Sequence, residues 1–113
     1  MDKTALTGTY EFEFYDGETC KMTLSFIQLK KLSCKNKDLY KRCQKVMTNG
    51  PEDELDMIAV LYAAYICANM NGENLLTEDE FTEKCGCDRF ALRDAFDAMT
   101  NPKKRKASAD RSN

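Results

Sequence analysis

The sequence predicts an α+β fold that is mostly helical, with an N-terminal β-hairpin packed on a bundle of about four helices. Three observations carry this prediction. Tyr10, Phe12 and Phe14 alternate with Glu11 and Glu13 just before Asp16-Gly17, the period-two pattern of a half-buried strand entering a turn. From Ser25 onward apolar residues recur instead in steps of three and four, the helical spacing. Asn49-Gly50-Pro51, Asn71-Gly72 and Cys85-Gly86-Cys87 then divide the helical part into segments. The expected organisation is an N-terminal arm over 1–8, one globular domain over 9–100 and a basic disordered tail over 101–113. Within the domain the hairpin covers 9–24, and the helices cover about 25–47, 52–70, 78–85 and 88–100.

Parity selects the hairpin register. A two-residue loop at Asp16-Gly17 would set Phe12 opposite Lys21 and send Met22 to the acidic face. A three-residue loop, Tyr15-Asp16-Gly17 with the glycine left-handed, pairs Phe12 with Cys20 and Tyr10 with Met22 and sets Glu11 across from Lys21. The second register puts every apolar side chain on one face and is the one expected.

The first helical segment opens at Ser25, which with Gln28 has the spacing of a capping box. Leu29, Leu32, Leu39, Cys43 and Val46 form its seam, with Asn36 filling a gap where the helix is expected to break if it breaks at all. A short coiled-coil seam with Asn36 setting register is the alternative. Gly50 suits a C-terminal cap, and Pro51 suits the first turn of the next helix. That helix has acidic residues at its start, where the dipole favours them, and continues through Leu55, Ile58, Leu61, Tyr62 and Tyr65. Thr77 and Glu80 form a second capping box. The last helix is amphipathic, with Phe90, Leu92, Phe96 and Met99 near one side.

Met57 to Met70 is an uncharged run of fourteen residues in a chain that is 32% charged, so a membrane span has to be considered. As a helix the run rises about 21 Å, against a hydrocarbon core of roughly 30 Å, and its flanks are not membrane anchors. It is expected to be the central buried helix. Ala59, Ala63, Ala64 and Ala68 allow close neighbours, and the side carrying Tyr62 and Tyr65 is the candidate interface.

Charge is segregated along the chain. Residues 26–45 carry seven Lys or Arg against Asp38, residues 51–99 carry twelve acids against three bases, and the tail from Asn101 is basic again. Solvated faces are the plainer reading; charged faces offered to other proteins are the sharper one. The Lys103 to Lys106 run has the look of an import or nucleic-acid signal. With no aromatic interleaved, it is read as a solubilising tail without specific nucleic-acid affinity.

No histidine is present, which removes the commonest general base and the Ser-His and Cys-His pairs, and no glycine-rich phosphate loop occurs. An enzyme is not expected, and neither is a cofactor. The six cysteines are dispersed, and only Cys85 and Cys87 are close, at a spacing unlike zinc knuckles. With no apolar secretory h-region behind Lys3, they are expected to be reduced and to serve as small hydrophobes. A better metal candidate is Asn69 to Phe81, which aligns with an EF-hand loop through Asn69, Asn71, Glu73 and Glu80. Asn69 stands where an aspartate is nearly obligatory, and Asn74 where a glycine is. A plain helix-loop-helix is therefore preferred, with a degenerate calcium-binding module kept as the alternative.

The words "DELDMIAVLYAAYICAN", "LTEDEF" and "FDAM", in this order behind a hairpin, resemble the tail assembly chaperones of long-tailed bacteriophages and prophages. The resemblance covers about residues 10–100 and rests mostly on core residues. It implies a non-enzymatic protein of the bacterial host cytoplasm that coats the helical tape measure protein before the tail tube assembles, keeps it soluble and tends to self-associate. It also implies that a longer frameshifted product can arise near Lys103-Lys104. Candidate partner contacts are Tyr62, Tyr65 and Ile66 on the central helix and Phe90, Phe96 and Met99 on the last.

Overall fold

The structure is a computed structural model that describes residues 9–101; the arm 1–8 and the tail 102–113, including Lys103 to Lys106, lie outside the described residues. Strands β1 (Thr9–Glu13) and β2 (Thr19–Thr23) form an antiparallel pair with Tyr10 opposite Met22, Glu11 opposite Lys21 and Phe12 opposite Cys20. This is the register chosen by parity. The Phe14 N–H donates to the Glu18 carbonyl at 2.7 Å and the Gly17 N–H to the Phe14 carbonyl at 3.0 Å, closing the three-residue loop. Gly17 sits at φ +87°, a conformation that carries no steric cost only for glycine. Phe12, Phe14 and Met22 are buried on one face, while Glu11, Glu13 and Lys21 are exposed on the other.

Five helices follow: α1 (Phe26–Lys35), α2 (Lys37–Asn49), α3 (Glu54–Ala68), α4 (Glu78–Cys85) and α5 (Arg89–Thr100). The segment expected as one helix over 25–47 is thus two. Asn36 has non-helical dihedrals, φ -144° and ψ 82°. Its N–H closes α1 on the Leu32 carbonyl at 2.8 Å, and its side-chain oxygen accepts from the Leu39 N–H at 3.2 Å. One residue therefore ends a helix and caps the next, the competition with regular backbone bonding for which asparagine is suited. The apolar seam runs through the break unharmed, since Leu29, Leu32, Leu39, Cys43 and Val46 are all buried in one cluster.

Two helix starts differ from expectation. Ser25 is the N-cap of α1 but makes no side-chain cap bond. Gln28, expected to complete a capping box, donates its amide to the Cys67 carbonyl at 2.5 Å. That carbonyl lies in the last turn of α3, where no intrahelical donor exists, so a side chain from a neighbouring helix fills the need. Pro51 falls outside α3, because Asp53 is the N-cap and accepts from the Asp56 N–H at 3.0 Å. The Asp56 carboxylate in turn accepts from the Glu52 N–H at 2.8 Å. Elsewhere the caps are as read: Gly50 closes α2 at φ +85°, and Thr77 with Glu80 forms the capping box of α4.

α3 is the central element. Ile58, Leu61, Ala64 and Tyr65 face a cluster with the hairpin, Phe81 of α4, and Leu92, Ala95 and Met99 of α5. Val60, Ala63 and Cys67 face the opposite way, against α1 and α2. A helix that is apolar nearly all round can be packed on two sides, and its alanines let the neighbouring backbones approach. No helix among the described residues is long and apolar enough to cross a membrane.

The hairpin is locked to α4. Lys84 Nζ pairs with Asp16 at 3.1 Å and with Glu18, and it stands 5.1 Å from the centre of the Phe14 ring. The Tyr15 N–H also donates to the Lys84 carbonyl at 3.1 Å. Gly86, at φ +71°, lets this contact close: a Cβ there would lie 2.9 Å from the Cβ of Tyr15. Farther round, Arg42 of α2 donates to both carboxylate oxygens of Glu78, at 2.8 and 2.7 Å. That forked hydrogen bond holds the Glu78 carboxyl below its ordinary value.

Phe81 is fully buried, with ring centres of Phe14, Tyr62 and Tyr65 at 5.6, 5.5 and 5.4 Å. Phe81→Ala is expected to cost about 3–5 kcal/mol in chemical denaturation, from lost burial plus the cavity left behind. Phe90 is 83% exposed, and Phe90→Ala is expected to change stability by no more than about 0.5 kcal/mol. Equal effects at the two positions would contradict the packing described.

Candidate interaction surfaces

The tyrosine side of α3 was the expected interface, and its two hydroxyls have partners within the fold. Tyr62 Oη donates to the Leu76 carbonyl at 2.9 Å, and Tyr65 Oη accepts from the Leu76 N–H at 2.9 Å. Together they hold both backbone groups of Leu76, in a loop with no strand or helix to satisfy them. Tyr65 is buried, while Tyr62 and Ile66 are half-buried. Partial burial raises the pKa of the Tyr62 phenol above its ordinary value, with nearby Glu78 adding to the effect. Two tyrosines one helical turn apart, followed by an irregular stretch, are the signal that could have pointed to this clamp.

On α5 the six-residue proposal divides. Met99 is in the core, Phe96 is half-buried against the α1–α2 side, and Phe90 is fully outside. Phe90 was expected near the side of Leu92, but two residues correspond to about 200° of helical turn. The buried strip is Leu92, Ala95, Ala98 and Met99. Of the six candidate contacts, Phe90 alone presents most of its side chain to the outside.

Other large apolar residues stand outside as well. Phe26 is 91% exposed, Tyr15 68%, Leu55 65% and Ile27 60%, so half or more of each is open to contact. Leu55 was read as part of the α3 seam; it lies in the first turn of the helix, on the wall of a hollow shared with Ile58, Cys85 and Leu92. Glu54 and Arg89 also line this hollow, which measures about 210 Å³. Phe26 and Ile27 were missed by sequence reasoning. Their signal is positional, since both fall off the Leu29-Leu32 seam and among lysines.

Two of the four EF-hand-like residues, Asn69 and Glu80, are engaged in other bonds. The Asn69 amide donates to the Tyr65 carbonyl at 2.7 Å and to the Lys21 carbonyl at 3.1 Å, tying the end of α3 to β2. Glu80 accepts from the Thr77 N–H at 2.8 Å as part of the capping box. Asn71 and Glu73 are exposed, and Asn74 takes the left-handed conformation at φ +58° that asparagine tolerates. The loop joins one cap to the next. Among the described residues, no group of three or more His, Cys, Asp or Glu gathers to hold a metal. Calcium at millimolar concentration is expected to leave the amide chemical shifts of residues 69–80 unmoved, and saturable shifts there would favour the calcium reading over the plain helix-loop-helix.

The six thiols are free and fall into three pairs by exposure, with Cys20 and Cys85 half-buried. Cys43 and Cys67 are fully buried, and Cys43 Sγ donates to Met47 Sδ at 3.5 Å. Burial pushes the thiols of Cys43 and Cys85 up to about 11 and those of Cys20 and Cys67 up to about 12. Cys34 and Cys87 are exposed. In the native protein, an aromatic disulfide reagent is expected to modify Cys34 and Cys87 rapidly, the half-buried Cys20 and Cys85 slowly, and Cys43 and Cys67 only on unfolding. Fast reaction of Cys43 or Cys67 would contradict the packing of α3 on α2.

Compared with family models, with curated proteins and with solved structures, the chain matches none at a significant level.

Proposed function

We propose that this chain is a non-enzymatic tail assembly chaperone of a long-tailed phage or prophage, which binds the tape measure protein and keeps it soluble until the tail tube forms around it. The observation that carries this reading is the run Asp53 to Asn69 with its companions "LTEDEF" and "FDAM", whose wording resembles that family. The physical arrangement supports it in kind. Large apolar side chains stand outside at Phe26, Leu55 and Phe90, each close to charged residues in its helix, which suits a protein that covers apolar stripes of another. The hollow beside Leu55 has an apolar wall and a charged rim, the form of a contact for a side chain from a partner. Self-association and residence in the cytoplasm of the bacterial host belong to the same reading.

Co-expression with the tape measure protein of the same genome tests it. The two are expected to co-purify, and the soluble fraction of the tape measure protein is expected to rise. If both proteins express and neither effect appears, the reading falls.

A further inference from the structure

The outer half of α1 combines two exposed apolar side chains with lysines and no acid. Its exposed residues are Phe26, Ile27, Lys30, Lys31, Cys34 and Lys35, and the helix contains no acid. At 100° per residue these six occupy one continuous half of the helix, while Leu29 and Leu32 occupy the buried half. The apolar pair is at the N-terminal end and the lysines run toward the C-terminal end. Among the described residues, Lys30, Lys31 and Lys35 form no ion pair, a state they share with Lys37, Lys41 and Lys45 of α2, although acids outnumber bases in the chain. Arg42, on the next helix, has by contrast recruited Glu78.

We propose that this half of α1 is a docking face for an acidic amphipathic helix of a partner protein. The occupant must bring apolar surface to Phe26 and Ile27 and carboxylates to Lys30, Lys31 and Lys35, within the roughly 15 Å that a ten-residue helix spans. A helix two or three turns long, with an apolar stripe and Asp or Glu along its flank, does both in one contact. A bilayer fits less well. Two exposed apolar residues are a small insertion, and stable peripheral anchoring takes a larger apolar face or a second anchor. A nucleic acid also fits less well, because the face has no arginine and a single aromatic at one end, which gives neither forked phosphate contacts nor a stacking track. On the reading proposed above the helix belongs to the tape measure protein, but the face is argued from its own residues.

The experiment titrates the full chain with a synthetic helical peptide whose leucine stripe is flanked by glutamates. Controls are its lysine-flanked counterpart, phosphatidylglycerol-containing vesicles and duplex DNA. The glutamate peptide is expected to bind and to shift the amides of residues 26–35. F26S/I27S should weaken it by about tenfold or more, and K30E/K31E/K35E should reverse the preference toward the lysine peptide. All five side chains are exposed, so thermal unfolding of the variants should match the parent. Equal binding by parent and F26S/I27S overturns the proposal. So does tighter binding to vesicles or DNA than to the peptide, or a self-association that hides α1 and is lost in F26S/I27S.

Co-expression of the same variants separates the two ideas. Capture of the tape measure protein by the parent and by F26S/I27S alike, with no glutamate-peptide binding at α1, leaves the chaperone reading standing and removes this face. Glutamate-peptide binding at α1 with no capture of the tape measure protein does the reverse.

Discussion

Burial of α3 on two sides is the constraint on which the rest of the structure depends. In a chain of 113 residues, one helix that must hide nearly its whole circumference leaves the other elements little freedom in where to go. The hairpin, α4 and α5 cover one side through Phe81 and Met22, and α1 and α2 cover the other through Leu32 and Cys43. Alanines at positions 59, 63 and 64, all buried, let those covers approach closely. The break at Asn36 fits the same demand, because it re-aims the chain while its seam stays against α3.

Polar bonds across elements then fix how the covers sit. The end of α3 lends its Cys67 carbonyl to Gln28 and is tied to β2 through Asn69, while its tyrosines hold the backbone of Leu76. The Gln28 and tyrosine bonds join part-buried groups to partners in other elements, the case in which leaving a bond unmade is costly. The ion pairs add less, since Arg42 and Arg93 are more than half exposed, so that water and salt screen them. Their main contribution is to orientation, with Arg42 joining α2 to α4 and Glu54 joining α3 to α5.

The same logic explains what is left outside. Once the interior is filled by α3 and its covers, apolar side chains off the buried strips have no place within the fold. Phe26, Ile27, Leu55 and Phe90 are those side chains, and they are distributed over the basic α1, the acidic start of α3 and the neutral α5. An interaction function of this chain is more naturally assigned to these residues than to Tyr65 and Met99, which the core already uses.

The sequence by itself determined the hairpin and most helix ends and inward faces, but not the break at Asn36 or the outward side of Phe90. Strand register followed from the alternation around Gly17, helix ends from Gly50 and from Thr77 with Glu80, and the α1–α2 seam from steps of three and four. These signals are local, because a turn, a cap or a period is set by residues within one or two turns of each other. Tertiary structure alone decided where Gln28, Asn69 and the tyrosine hydroxyls find partners, and which phenylalanines remain outside. Gln28 bonds 39 residues away and Asn69 48 residues away, so neither choice is written in the neighbouring sequence. Ser25 with Gln28 and Asn69 with Glu80 both matched a local motif. In each case a bond to another part of the fold, or a nearer cap, took the side chain instead.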